Sequence, residues 1–98
     1  MKNTEKELNI EIDNNKYTLE KNYRDCFSLE EFIDTYTDYF NPFDYIVGDY
    51  SYDKLRLKGF YRSDNKNVSD CNDIKRLNDY IDNYCAYGAK YFLLKKVK

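Results

Sequence analysis

Between residues 49 and 62 the sequence gathers the side chains best suited to chemistry: Asp49, Tyr50, Tyr52, Arg56, Lys58, Phe60 and Arg62. Asp49 and Arg56 stand on either side of a turn-rich stretch, where a carboxylate and a guanidinium can meet as a bidentate ion pair. Such a pair can simply fix the register of two strands. It can also serve a reaction, with Asp49 as general base, Arg56 or Lys58 holding an anion, and Tyr50 and Tyr52 as acid or orienter. Phe60, flanked by cationic side chains, has the chemistry to stack a nucleobase while Lys and Arg contact phosphates. Tyrosine and arginine are also the residue types that anchor protein interfaces, bringing large area, few rotors and a hydrogen-bonding tip. Tyr39, Tyr50, Tyr52, Tyr61, Tyr80 and Tyr87 exceed what a core of this size needs to bury.

What is missing narrows these readings. The chain has no histidine, which removes the commonest general base, the commonest metal ligand and any Ser/His or Cys/His nucleophile pair. Cys26, Cys71 and Cys85 are an odd set without a CxxC pair, which suits neither a disulfide scaffold nor a zinc site. Reduced thiols in a cytoplasmic protein, with no metal and no cofactor, are the expectation. No run of 18 apolar residues offers a spanning helix, and no apolar stretch follows the basic start to make a signal peptide. Leu, Ile, Val and Phe make up 23 of the 98 residues, just above the roughly 20% below which a chain tends to stay disordered. One domain over residues 1–98, frayed at 1–6, is expected, a monomer or weak dimer with one core.

The net charge of −2 hides a segregation. Eight acids and no Lys or Arg lie between Asp25 and Asp53, whereas Lys54, Arg56, Lys58 and Arg62 follow at once. A fold can present these as one acidic and one basic surface, and either sign steers a partner. They can equally neutralise each other within the fold.

The elements that must position these side chains follow from periodicity. Leu8, Ile10 and Ile12 alternate as a strand, Asp13, Asn14 and Asn15 supply turn chemistry, and Lys16 to Lys21 returns as a hairpin. Ser28 and Glu31 form a capping box for a helix to about Phe40, which Asn41 and Pro42 stop. A strand at about 43–49 leads through a connection over residues 50–53 into a strand from Lys54 to Arg62. Period two puts Leu55, Leu57, Gly59 and Tyr61 on one face and Lys54, Arg56, Lys58, Phe60 and Arg62 on the other. Residues 63–72 are expected to be a mobile loop. Asp70 or Asn72 caps a second helix with Ile74, Leu77, Ile81, Tyr84 and Cys85 on its apolar stripe, closed by Gly88. A last strand runs from Ala89 to Val97. The order ββαββαβ predicts an α+β domain, a mixed or antiparallel sheet with both helices on one face. Leu29, Phe32, Ile33, Tyr36, Val47, Leu55, Leu57, Leu77, Ile81 and Leu93 are the expected core.

The run Tyr45-Ile46-Val47-Gly48-Asp49-Tyr50, then Tyr52, then Leu55-Arg56-Leu57-Lys58-Gly59-Phe60-Tyr61, resembles the central signature of the YutD-like family of small bacterial proteins. Asn22-Tyr23-Arg24-Asp25, Tyr84-Cys85, Gly88 and Tyr91-Phe92 extend the likeness over roughly residues 17–97. Tyr50 stands where the family pattern usually has Trp, and Ala89 where it has Cys. The resemblance implies kinship and brings no activity, cofactor or catalytic residue with it.

Omitting the first strand leaves βαββαβ, the order of ferredoxin-like domains, with Lys58-Gly59-Phe60 where RNA-recognition domains keep a basic-Gly-aromatic signature. The residues that follow, Tyr61, Arg62 and Ser63, depart from that signature, and a pI of about 5.1 is low for a nucleic-acid binder. The sequence therefore supports first a non-enzymatic binding or regulatory module acting through a Tyr/Arg/Lys-rich sheet face. An RNA-binding domain using strand 54–62 is the alternative, and a small enzyme built on Asp49 and Arg56 comes last. The partner is a protein or a nucleic acid, and no membrane is expected.

Overall fold

Two hairpins with two-residue turns frame the structure. The computed structural model describes residues 9–84 and 90–97, with Asn83 and Tyr84 by backbone alone. Strands β1 (Asn9–Ile12) and β2 (Asn15–Tyr23) turn at Asp13 and Asn14, whose φ angles of 54° and 67° have the sign that a type I′ hairpin turn requires. Asp and Asn reach that left-handed region more easily than other side chains. Strands β3 (Tyr45–Ser51) and β4 (Lys54–Phe60) turn the same way at Tyr52 and Asp53, with φ of 53° and 65°. The expected four-residue connection is thus a two-residue turn, because pairing continues through Tyr50–Leu55 to Ser51–Lys54. Leu8, Cys85, Tyr87, Gly88, Ala89 and the start at 1–6, expected from the sequence to fray, lie outside the described residues.

With β5 (Tyr91–Val97), these strands form one sheet in the order β1-β2-β5-β3-β4, and every neighbouring pair is antiparallel. The ferredoxin-like analogy fails here, since a split βαβ unit would place parallel strands side by side. The α+β class and the ββαββαβ order hold.

Helix α1 (Leu29–Thr35) begins where Ser28 accepts a hydrogen bond from the Glu31 N–H. It stops two turns later, short of Phe40, because Tyr36 is already extended at φ −66°, ψ 139°. There its hydroxyl pairs with that of Tyr17 and donates to Asn41 Oδ1. A single 3-10 turn, Asp38–Phe40, follows. Two turns of helix bury a narrow stripe: Phe32 is enclosed and Tyr36 half-buried, whereas Leu29 and Ile33 flank them and stay 46% and 48% exposed. Both had been expected in the core.

Helix α2 (Leu77–Tyr84) is preceded by a 3-10 turn, Ile74–Arg76, capped by Asp73 rather than by Asp70 or Asn72. The two helices cover opposite faces of the sheet, not one. Ile46, Phe92 and Leu94 pack with Phe32 of α1, together with Ile10 and Tyr17. Their strand neighbours Val47 and Leu93, with Phe60, pack with Leu77 of α2. Since adjacent residues of a strand point to opposite faces, the two clusters lie on the two sides of β3 and β5. Leu55, Leu57 and Ile81 pack at the margins of these clusters, half-buried.

Two glycines let rings approach the backbone where a Cβ would stand. A Cβ at Gly48 would stand 2.1 Å from the Phe92 ring, and one at Gly59 would stand 2.3 Å from the Phe43 ring. The segment after β4, expected to be mobile, is tied at both ends by buried aspartates. Asp44 Oδ2 accepts from the Arg62 N–H at 2.8 Å and from Asn65 Nδ2 at 3.0 Å. Asp73 accepts from Ser63 Oγ at 2.5 Å, and Tyr61 bridges to Asp73 as a short parallel pair.

Candidate partner-binding surface

The register that places Arg56 opposite Asp49 also joins their side chains. Arg56 Nε donates to Asp49 Oδ1 at 3.1 Å and Nη2 to Oδ2 at 2.7 Å, the bidentate fork anticipated from the sequence. The Asp49 side chain is nearly enclosed, at 2% exposure, while the Arg56 side chain is 46% exposed. Both carboxylate oxygens are held by one cation, so Asp49 is engaged as a charge partner and is poorly placed to take a substrate proton.

The same register runs on across the sheet: Arg56 to Asp49, Asp49 to Tyr91, Tyr91 to Tyr23. Tyr23 and Tyr91 stack with centroids 5.7 Å apart, and the Arg24 guanidinium lies 5.7 Å from the Tyr23 ring. A row of guanidinium, carboxylate and two rings thus ends the face that α2 covers. Tyr23, Arg24 and Tyr91 were missed as site residues, because only the pairing of distant strands brings them into this row.

The other anticipated residues separate. Tyr50 lies on the α1 face, away from Asp49, and its hydroxyl donates to Glu31 Oε1 at 2.5 Å, with the Cys26 carbonyl as an alternative acceptor at 3.2 Å. Burial, followed by the Glu31 hydrogen bond, pushes the Tyr50 hydroxyl well above the ordinary tyrosine range. The Lys90 ammonium sits 4.7 Å from its ring. Tyr50 therefore latches α1 to β3 and cannot orient Asp49. Tyr52 occupies the hairpin tip, 96% exposed.

Phe60, expected on the contact surface, is fully buried against Tyr80 and Leu77. It cannot stack a base while α2 is in place. The basic cluster is likewise partly matched within the fold: Arg56 by Asp49, and Arg62 by Asp64 at 3.0 Å. Lys58 lies 5.2 Å from the Phe60 ring and 5.9 Å from the Tyr80 ring. Lys54 and Lys58 form no ion pair among the described residues.

Beside this strand, Lys58, Phe60, Cys71, Arg76, Asp79 and Tyr80 help line an open cleft of about 590 Å³. Arg76 and Asp79 pair across 3.4 Å there, so the cleft presents mixed charge over an aromatic floor. Among the described residues no group of three or more Cys, Asp or Glu side chains is placed to hold a metal ion. No described helix is long and apolar enough to cross a membrane.

The family model described as "Putative antitoxin YutD-like" matches residues 11–95 of the chain. The chain is similar to "Putative antitoxin YutD" of Bacillus subtilis (strain 168), with 42% identity over 89 residues that cover 91% of this chain and 98% of that protein. Its fold is similar to the solution NMR structure of the B. subtilis protein yutD, with a TM-score of 0.79 at 40% identity. That likeness covers 98% of this chain and 87% of the solved one.

Proposed function

The chain belongs to the YutD-like family, and from that premise we propose that it is a cytoplasmic, non-enzymatic binding module that restrains a protein partner in the manner of an antitoxin. Tyr52 carries the reading. A tyrosine at φ 53° and 96% exposure is doubly unfavourable for folding: L side chains avoid the left-handed region, and the ring gains nothing from burial. A strained residue kept at a tip fits a use outside folding, and aromatic anchors with nearby arginine are what interface centres employ. The half-exposed Arg56 fork lies close behind the tip on β4, with Lys54 between them.

The nucleic-acid alternative has less support, because its stacking ring is Phe60 and that ring is enclosed. The enzyme alternative uses Tyr50 and Tyr52 as acid or orienter for Asp49, and it has less support because Tyr50 points to the opposite face and Tyr52 stands out at the hairpin tip. Affinity capture from nuclease-treated lysate of the source cells tests the proposal. It predicts one protein retained in stoichiometric amount, and its loss when Tyr52 becomes Ala. Retention that disappears on nuclease treatment would turn the reading to nucleic acid.

A further inference from the structure

We propose that the partner is held by strand addition: the free edge of β4 receives an extended segment of the partner protein that alternates apolar and acidic residues. This rests on the partner-binding reading above and names how the partner is recognised. The sheet order leaves β4 at an edge. At its far end, Tyr61 has turned its backbone outward, donating its N–H to the Asn72 carbonyl and accepting from the Ile74 N–H. Strand alternation then points the N–H and C=O groups of Gly59, Leu57 and Leu55 to the same outer edge, with Leu55 and Leu57 half-buried and Gly59 buried at the inner end, and among the described residues no backbone partner meets them there. From Lys54 to Phe60 the edge spans about 20 Å, enough for a visiting strand of about six residues.

A groove of about 380 Å³ runs along this edge, with Gly59 at its base. One wall, from Tyr39, Phe43 and Leu57, is aromatic and aliphatic; the other carries Lys58 and Tyr80. A strand seated between them sends alternate side chains to the two walls, which is how strand-addition sites gain specificity. The apolar wall selects apolar residues. Lys54 and Lys58, without carboxylate partners among the described residues, select acidic ones on the other side. Cationic side chains on an edge also discourage unwanted pairing, and an acidic strand is the visitor they admit.

The probe is an acetylated octapeptide alternating valine and glutamate, titrated into the isotope-labelled full chain while amide shifts and hydrogen exchange are followed. The expected result is movement of the Leu55, Leu57 and Gly59 amides with at least tenfold slower exchange, and binding at least fivefold tighter than to the valine–lysine counterpart. Lys58→Glu gives up the cation–π contacts with Phe60 and Tyr80, so retention of the parent's amide dispersion is checked first, and the folded variant is expected to reverse that preference. Equal binding of both peptides, shifts confined to β1 or to the outer face of α2, or no shift at all would overturn the proposal. So would protection of the three amides by self-association of the chain or by a twelve-residue oligoadenylate. A protein captured equally by the parent and Lys58→Glu would leave the antitoxin reading standing and remove the β4 edge from it.

Discussion

Asp49 and Arg56 show how one residue pair can look catalytic and act as a fastener. The fork closes over a carboxylate that the sheet has almost wholly enclosed, so removing the cation leaves a costly buried charge. Arg56→Ala is expected to cost about 1–3 kcal/mol, below the figure for a fully buried pair because the Arg56 side chain is half-exposed. Arg56→Lys should recover only part of this, since an ammonium cannot bond both oxygens in the fork geometry. Urea unfolding of the two variants checks both. A midpoint unchanged in Arg56→Ala would mean that the guanidinium is held for something other than the fold. Tyr52 predicts the opposite sign. Tyr52→Asn places a residue tolerant of left-handed geometry at the tip and should stabilise the protein by about 0.5–1 kcal/mol while weakening partner capture. A variant both less stable and equally competent would remove the strain argument.

At the scale of elements, the glycines of the signature are explained by what lies on them. Gly48→Ala drives a methyl into the Phe92 ring, and Gly59→Ala into the Phe43 ring. Each should destabilise by about 1–3 kcal/mol or more, because a packed core yields only by strain. Thermal unfolding reads this directly. The loop between β4 and α2 depends on Asp73, whose carboxyl is held below the usual carboxylate range chiefly by the Ser63 hydroxyl, with help from the Lys75 backbone N–H. A carboxyl lowered in the folded state stabilises fully above its unfolded value near 4 and loses that contribution as pH falls through the folded value. Asp73→Asn should therefore be less stable than the parent at pH 6 and lose less on descent to pH 3, as melting across that range would show.

Period-two alternation made the faces of β4 legible, and the capping box marked the start of α1, because both are local. Phe60 was correctly placed on the face of Lys58, but nothing local says that α2 covers that face while α1 covers the other. Ile46, Phe92 and Leu94, all fully buried, sit in short continuous apolar runs where alternation is silent. Tyr36 leaves the helix to reach Tyr17, a contact 19 residues away that no helical propensity contains.

For the whole molecule, the sheet order decides what is available to a partner. β2, β3 and β5 are interior, β1 is an edge described from Asn9 to Ile12, and β4 is a seven-residue edge carrying Lys54 and Lys58, which form no ion pair among the described residues. The hairpin tip and that edge therefore form one continuous surface from Tyr52 to Lys58, with Gly59 buried at its inner end. Amide hydrogen exchange on the free chain and on its captured complex tests whether this surface holds the partner. Protection gained on binding should fall on Tyr52 and on Leu55, Leu57 and Gly59, with β1 unchanged. Protection that falls on β1, or on the outer face of α2 alone, would contradict the account.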